Sequence, residues 1–328
     1  MLAPHLPRFL CGSLFFLLAC GQVSPTADPH ESHTQYVCNT PDDETAEADV
    51  TIDASLGTVS PDGRFRMAVS TFDGDVPGPV IEFVVGQTRR IKLRNHTDAP
   101  IGLHFLGLSY PVEEDGTHLY PHSIVNPGCA HVYPVTAKAP GVFPFVDHLQ
   151  PIQGLSLGQY GVSIVRSPTE DPVDKEYVLF MGELGKETSG SHEEEEAQGG
   201  ERRFFMTFNG RTDASPLAIE QRAKQSIRSA GWPSSLVGDR VRLRLVNVSP
   251  SVFHSFGIHG YNFCDRGGVI SDTGACPNGG RTQNIVTMSP LEGTTLELRT
   301  TSKGRWMYHC HILEHEDQGM MGVLRVDP

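Results

Sequence analysis

The chain has 328 residues, 34 of them glycine and 24 proline, which is length for two ordinary domains and a composition rich in turns. Short β-branched and aromatic runs between those turn residues favour an all-β protein. A formal net charge of −13 without a basic stripe argues against a nucleic-acid partner, because phosphate binding needs clustered Lys and Arg.

In chain order, the first element reads as a targeting segment. Arg8 precedes an apolar run from Phe9 to Ala19 that is too short to span a bilayer comfortably. Its end, Leu17-Leu18-Ala19-Cys20-Gly21, resembles a bacterial lipoprotein signal with Cys20 as the lipidated residue; an ordinary secretory leader is the alternative. Residues 1–20 are therefore expected to be a signal peptide. The mature chain is expected in the cell envelope, held to the membrane through a lipid anchor alone. Residues 21–49 are polar, Pro- and acid-rich, and read as a flexible tether, with His30 and His33 solvated.

An internal repeat organises the rest. Phe72-Asp73-Gly74 precedes Val85-Gly86 and the run Gln87 to Asn95; Phe208-Asn209-Gly210 precedes Val237-Gly238 and the run Asp239 to Asn247. Apolar and basic residues alternate in both runs, the period of a half-buried strand. Each is followed by a histidine-bearing strand ending in Gly: Leu103 to Gly107, then Gly257 to Gly260. Two tandem β-sandwich domains, 50–170 and 171–328, are the economical reading. Ser167-Pro168 and Asp171-Pro172 mark the boundary. Within the second domain, Glu193 to Glu196 predict an exposed loop, with metal collection beside His192 as the alternative. Ala218 to Ser229 predict a short amphipathic helix.

Cysteine usage points to one special thiol. Setting aside Cys11 and Cys20 leaves Cys38, Cys129, Cys264, Cys276 and Cys310, an odd number in an oxidising compartment. With Cys310 on a metal, the other four can form two disulfides. Cys264 with Cys276 is the favoured close pair, which leaves Cys38 with Cys129, although four cysteines allow three connectivities.

The strongest motif is Trp306-Met307-Tyr308-His309-Cys310-His311-Ile312-Leu313-Glu314-His315-Glu316-Asp317-Gln318-Gly319-Met320. Blue (type 1) copper needs a thiolate, two imidazoles and a weak axial thioether. Cys310, His315 and Met320, spaced by five each time, supply three of these, and His254 from an earlier strand supplies the second imidazole. Met321 competes for the axial position. Trp306 and Phe256 are expected to shield the copper from water.

This run resembles the last copper motif of multicopper oxidases, and the chain from about Val50 onward is similar to their two-domain, small-laccase-like branch. The resemblance implies two cupredoxin-like Greek-key sandwiches, copper as cofactor, and a homotrimer as one possible assembly. It also implies that His309 and His311, facing away from Cys310 along the strand, belong to an oxygen-reducing trinuclear cluster built from four His-x-His pairs. Here those pairs are depleted. They read His104 with Leu106, Pro144 with Val146, Gly257 with His259, and His309 with His311, so four imidazoles of eight remain; His148 is a remote substitute. Leu, Pro, Val and Gly offer no side-chain donor.

Three functions follow. The leading one is a blue-copper redox or electron-transfer lipoprotein with an unidentified redox partner. The others are a laccase-like or metal-ion oxidase using His104, His259, His309 and His311 at a domain or subunit interface, and a non-redox copper-binding or structural module. Asp147 stands where a nitrite-reductase-like relative would place its thiolate, which argues against that activity. His118, His122 and His131 read as surface or loop residues. No P-loop, dinucleotide or His-Glu-x-x-His signature is present.

Overall fold

The computed structural model describes residues 37–39, 45–185, 204–212, 233–264, 268–271 and 275–328. The leader with Cys20, most of the tether, the Glu193–Glu196 run and the 218–229 segment lie outside the described residues.

The first sandwich contains β1 (Val50–Val59), β2 (Met67–Phe72), β3 (Val80–Val84), β4 (Thr88–Asn95), β5 (Leu103–Phe105), β6 (Ala130–Thr136), β7 (Gly141–Asp147), the short helix α1 (Pro151–Leu157) and β8 (Tyr160–Arg166). Its two sheets run β2-β1-β4-β6 and β3-β8-β7-β5, crossovers in the Greek-key manner. The second contains β9 (Lys175–Gly185), β10 (Phe204–Phe208), β11 (Ser234–Leu236), β12 (Arg240–Asn247), β13 (His254–Ile258), β14 (Phe263–Cys264), β15 (Thr282–Gln283), β16 (Ile285–Met288), β17 (Gly293–Arg299), β18 (Gly304–Cys310), the helix α2 (Leu313–Asp317) and β19 (Met321–Asp327). Its main sheets run β10-β9-β12-β17 and β11-β19-β18-β13-β16, with β14-β15 as a small ribbon.

The repeat has a local physical basis. Asp73 and Gly74 take φ of 60° and 77°, and Asn209 and Gly210 take 50° and 72°. Two consecutive positive φ values make the tight two-residue hairpin turn, bridged by Phe72 with Asp75 and by Phe208 with Arg211. The terminal asparagines are equally matched. Asn95 caps a turn through Thr97 N–H at 2.9 Å and donates to the carbonyls of Ala99 and Val125. Asn247 does the same through Ser249 N–H at 2.8 Å and the carbonyls of Val252 and Met288.

One expectation fails in β12. Alternation predicts exposed basic residues, yet Arg242 and Arg244 are 3% and 2% exposed. The segment joining the sandwiches lies across them: Glu170 pairs with Arg244 at 2.6 Å, and Glu176 and Glu297 pair with Arg242 at 3.2 and 2.7 Å. Burial of a guanidinium is tolerated because each is paired and hydrogen-bonded.

Each sandwich has an apolar core, and a third core joins them. Val142, Val146, Leu155, Tyr160 and Val162 of the first pack on Phe180, Leu184, Phe205, Val246 and Val248 of the second. The contact runs through α1 and β7 onto β9, β12 and β17, the sheet opposite the one that carries Cys310. Disulfides link Cys38 to Cys129 and Cys264 to Cys276, while Cys310 is buried and unpaired.

Candidate metal centre

β18 places Cys310 at its end, and the chain leaves the sheet and returns to the same ladder ten residues later. Cys310 N–H donates to the Met320 carbonyl at 3.1 Å, and Met320 N–H donates to the His315 carbonyl at 2.9 Å. Between them α2 is wound by His315 and Glu316 N–H donating to Ile312, and Gly319 turns at a φ of 96°. This closed excursion fixes His315 over Cys310. His254 opens β13, whose Phe256 lies directly opposite Cys310. Cross-strand neighbours share a face, so Phe256, Cys310 and Met320 all point into the core. Each is 0% exposed.

The three donor atoms form a triangle. His254 Nδ1 lies 3.2 Å from His315 Nδ1, and the Cys310 sulfur lies 3.8 and 3.6 Å from them. The point equidistant from all three is about 2.1 Å from each, close to the roughly 2.0–2.3 Å of metal–nitrogen and metal–sulfur bonds. Hydrogen bonding sets which imidazole nitrogen faces in. The Ser249 hydroxyl is 2.6 Å from His254 Nε2, leaving Nδ1 toward the sulfur. Sequence inspection missed Ser249, and its signal was the Asn247-Val248-Ser249 turn.

Burial favours the neutral form of each donor. Burial, then the nearby His315 ring, drives the basicity of His254 down to about 3. Burial lowers that of His315 against the opposing charge of Glu314. The Cys310 thiol is pushed up, first by burial, with Ser255 and Ile312 N–H opposing and Glu316 reinforcing. Desolvation thus disfavours charge on all three donors, and a positive ion among them offsets that cost for the thiolate.

Two expected neighbours differ. Trp306 sits four residues before Cys310, about 13 Å along an extended strand. There it packs edge-on against Tyr261 at 5.3 Å, so it does not cover the triangle. Met321 pairs with His309, on the face away from Cys310, whereas Met320 is on its face.

A second histidine group lies on that opposite face. His259 Nε2 is 3.0 Å from His309 Nε2, and the His311 ring stacks on His309 at 4.3 Å. His309 Nδ1 also lies 3.0 Å from the Glu316 carboxylate. Gly257 completes the group by absence: a Cβ there would stand 2.2 Å from His311 Nε2. Burial first, then His309 and His259, lowers the His311 basicity.

Strand register corrects the count of imidazoles in the first sandwich. Leu103 opposes Asp147 as Phe256 opposes Cys310, so Val146 and His148, not Pro144 and Val146, match His309 and His311. His148 therefore stands at the register position that matches His311, and its ring lies 4.8 Å from that of His104. Five of the eight positions carry imidazole. Val146 is buried in the core joining the sandwiches, with Leu106 packed at its margin. Asp147, in place of the thiolate, is an anchor: it accepts from Gly102 and Leu149 N–H at 3.0 Å each, and burial raises its carboxyl.

Multicopper oxidase family models match residues 53–170 and 201–328, one per sandwich. A probable nitrite reductase-hydroxylamine oxidoreductase fusion protein of Kuenenia stuttgartiensis is 27% identical over 263 residues, 77% of this chain and 28% of that protein. The chain spans about a quarter of the length of the curated relatives it matches. Among solved structures, a multicopper oxidase superposes with a TM-score of 0.68 at 24% identity, covering 84% of this chain and 88% of the other. The copper nitrite reductase of Nitrosomonas europaea superposes at 0.65 and 24%, covering 85% and 93%. These structural likenesses establish the fold alone. With both sandwiches matched and copper-type donors gathered at the end of β18, this chain belongs to the multicopper oxidase family and is a copper protein of redox type.

Proposed function

We propose that the chain is a blue-copper redox protein of the cell envelope, in which His254, Cys310, His315 and Met320 would hold the copper. The observation that carries this reading is the donor triangle with a common point about 2.1 Å from each atom. Copper bound there supplies a one-electron couple. The chain supplies the rest. Complete burial of Cys310, His254 and Met320 excludes water, and the Ser255 N–H, 3.4 Å from the sulfur, tunes its electron density. The backbone from Cys310 to His309 leads from the buried sulfur to the opposite face. An envelope location rests on the Arg8–Cys20 leader and agrees with two disulfides, which persist outside the cytoplasm.

Copper quantitation with visible spectroscopy tests the reading. The protein is expected to be blue with copper bound, and Cys310→Ser is expected to lose the colour and one copper per chain. Copper-loaded protein without colour contradicts it.

A second reading is favoured by the paired rings of His259 and His309. They lie on the sheet turned away from the first sandwich of the same chain, and on this reading His104 and His148 of a second copy would join them. This makes the protein an oxidase of phenols or metal ions with copper held between subunits, a trimer in solution. Oxygen consumption with a phenolic or ferrous donor, abolished by His309→Ala, supports it; a monomer without oxygen consumption excludes it.

A further inference from the structure

Sequence reading leaves His122 and His131 as surface or loop residues, but His131 sits on β6 and its side chain is 3% exposed. It meets Glu114, from the turn after β5, and His122, from the turn that precedes β6 in sequence. His131 Nε2 is 2.5 Å from one Glu114 oxygen, and His122 Nε2 is 3.6 Å from the other. The two imidazoles stand edge to face at 5.2 Å.

We infer that Glu114, His122 and His131 form a second metal site, for a divalent first-row cation, separate from the Cys310 centre. Two imidazoles and a carboxylate suit Zn²⁺ and Cu²⁺, and copper(II) binds most tightly at such sets. The 3.6 Å span is too long for a hydrogen bond but fits two donors each about 2 Å from one ion. It also equals the Cys310–His315 spacing in the first triangle. The short contact to His131 is a hydrogen bond that must give up its proton and lengthen by roughly half an ångström as the ion enters. Access is from solvent, through His122, whose side chain is 54% exposed.

The three donors are held by cross-links independent of any ion. Tyr133 O–H donates to the Ser123 carbonyl at 2.6 Å, and Gly116 N–H donates to Ser123 Oγ at 3.0 Å, tying both turns to β6. Asn39 Nδ2 donates to the carbonyls of Pro121 and Ile124, beside the disulfide from Cys38 to Cys129. A site held this firmly does not need the ion to fold.

The test is zinc titration of the full chain by calorimetry, with copper first added at one equivalent per chain, enough for the Cys310 centre alone. His122→Ala and Glu114→Gln are each expected to lose one zinc equivalent, or weaken it by more than about 100-fold, beyond the loss of an outer-shell partner. Blue absorption is expected to be unchanged in both, because neither residue touches Cys310, and the melting temperature to be unchanged in His122→Ala, because His122 is exposed. His309→Ala must retain this equivalent, which separates it from the histidine group near Cys310. Equal zinc stoichiometry and affinity in wild type, His122→Ala and Glu114→Gln overturn the proposal.

Discussion

The Ser249 hydroxyl and His254 Nε2 are both buried at 2.6 Å, and neither has water to fall back on. Ser249→Ala leaves a ring nitrogen unpaired, costing about 1–3 kcal/mol of stability in the metal-free protein. It also frees the ring to turn, so copper affinity is expected to fall about 10–100-fold, measured by competition with a chelator. Unchanged affinity would show that packing alone orients the ring. Gly257→Ala probes the opposite face. Its Cβ would collide with His311 Nε2, so if the second reading holds, metal at the second histidine group is expected to be lost while blue absorption persists. Retention of both would place that metal elsewhere. At this scale the Cys310, His315 and Met320 set was legible because one short excursion carries all three. Ser249 and His148 were not. A hydroxyl partner has no spacing rule, and the match of His148 to His311 emerges only from the pairing of β5 with β7.

Among elements, β12 carries the charged network that the alternation of the sequence disguised as a solvated face. Glu176 is its centre. Burial raises its carboxyl, but Arg166, Arg244 and Arg242 together outweigh that and hold it down to about 2. A carboxyl whose folded-state pKa lies below the unfolded value adds stability above the unfolded value and loses it as pH falls through the folded one. Melting temperature is therefore expected to drop between pH 4.5 and about 2. In Glu176→Gln it is expected to start lower at neutral pH and to change less across that window. Parallel curves for the two proteins would remove Glu176 from the acid response. The repeat itself was legible because φ-positive Asp-Gly and Asn-Gly turns leave a sequence mark, whereas the covering of β12 depends on where the 167–174 segment runs.

For the whole molecule, the core between the sandwiches holds them together, with Val146 in it and Leu106 packed against it. Gly293 is the tightest point of the contact: a Cβ there would stand 2.1 Å from the Val142 carbonyl oxygen, a backbone atom that cannot yield. Gly293→Ala is expected to cost about 1–3 kcal/mol, seen as a lower melting temperature. An unchanged melt would mean that the sandwiches separate at little cost. Two tandem sandwiches could be read from the repeat, but not the face by which they meet.

The central claim is a sulfur-bound copper on Cys310. X-ray absorption at the copper edge of the purified protein tests it most directly. The account predicts one short copper–sulfur and two copper–nitrogen distances, the sulfur vanishing in Cys310→Ser. A first shell of nitrogen and oxygen alone in the wild-type protein would contradict it.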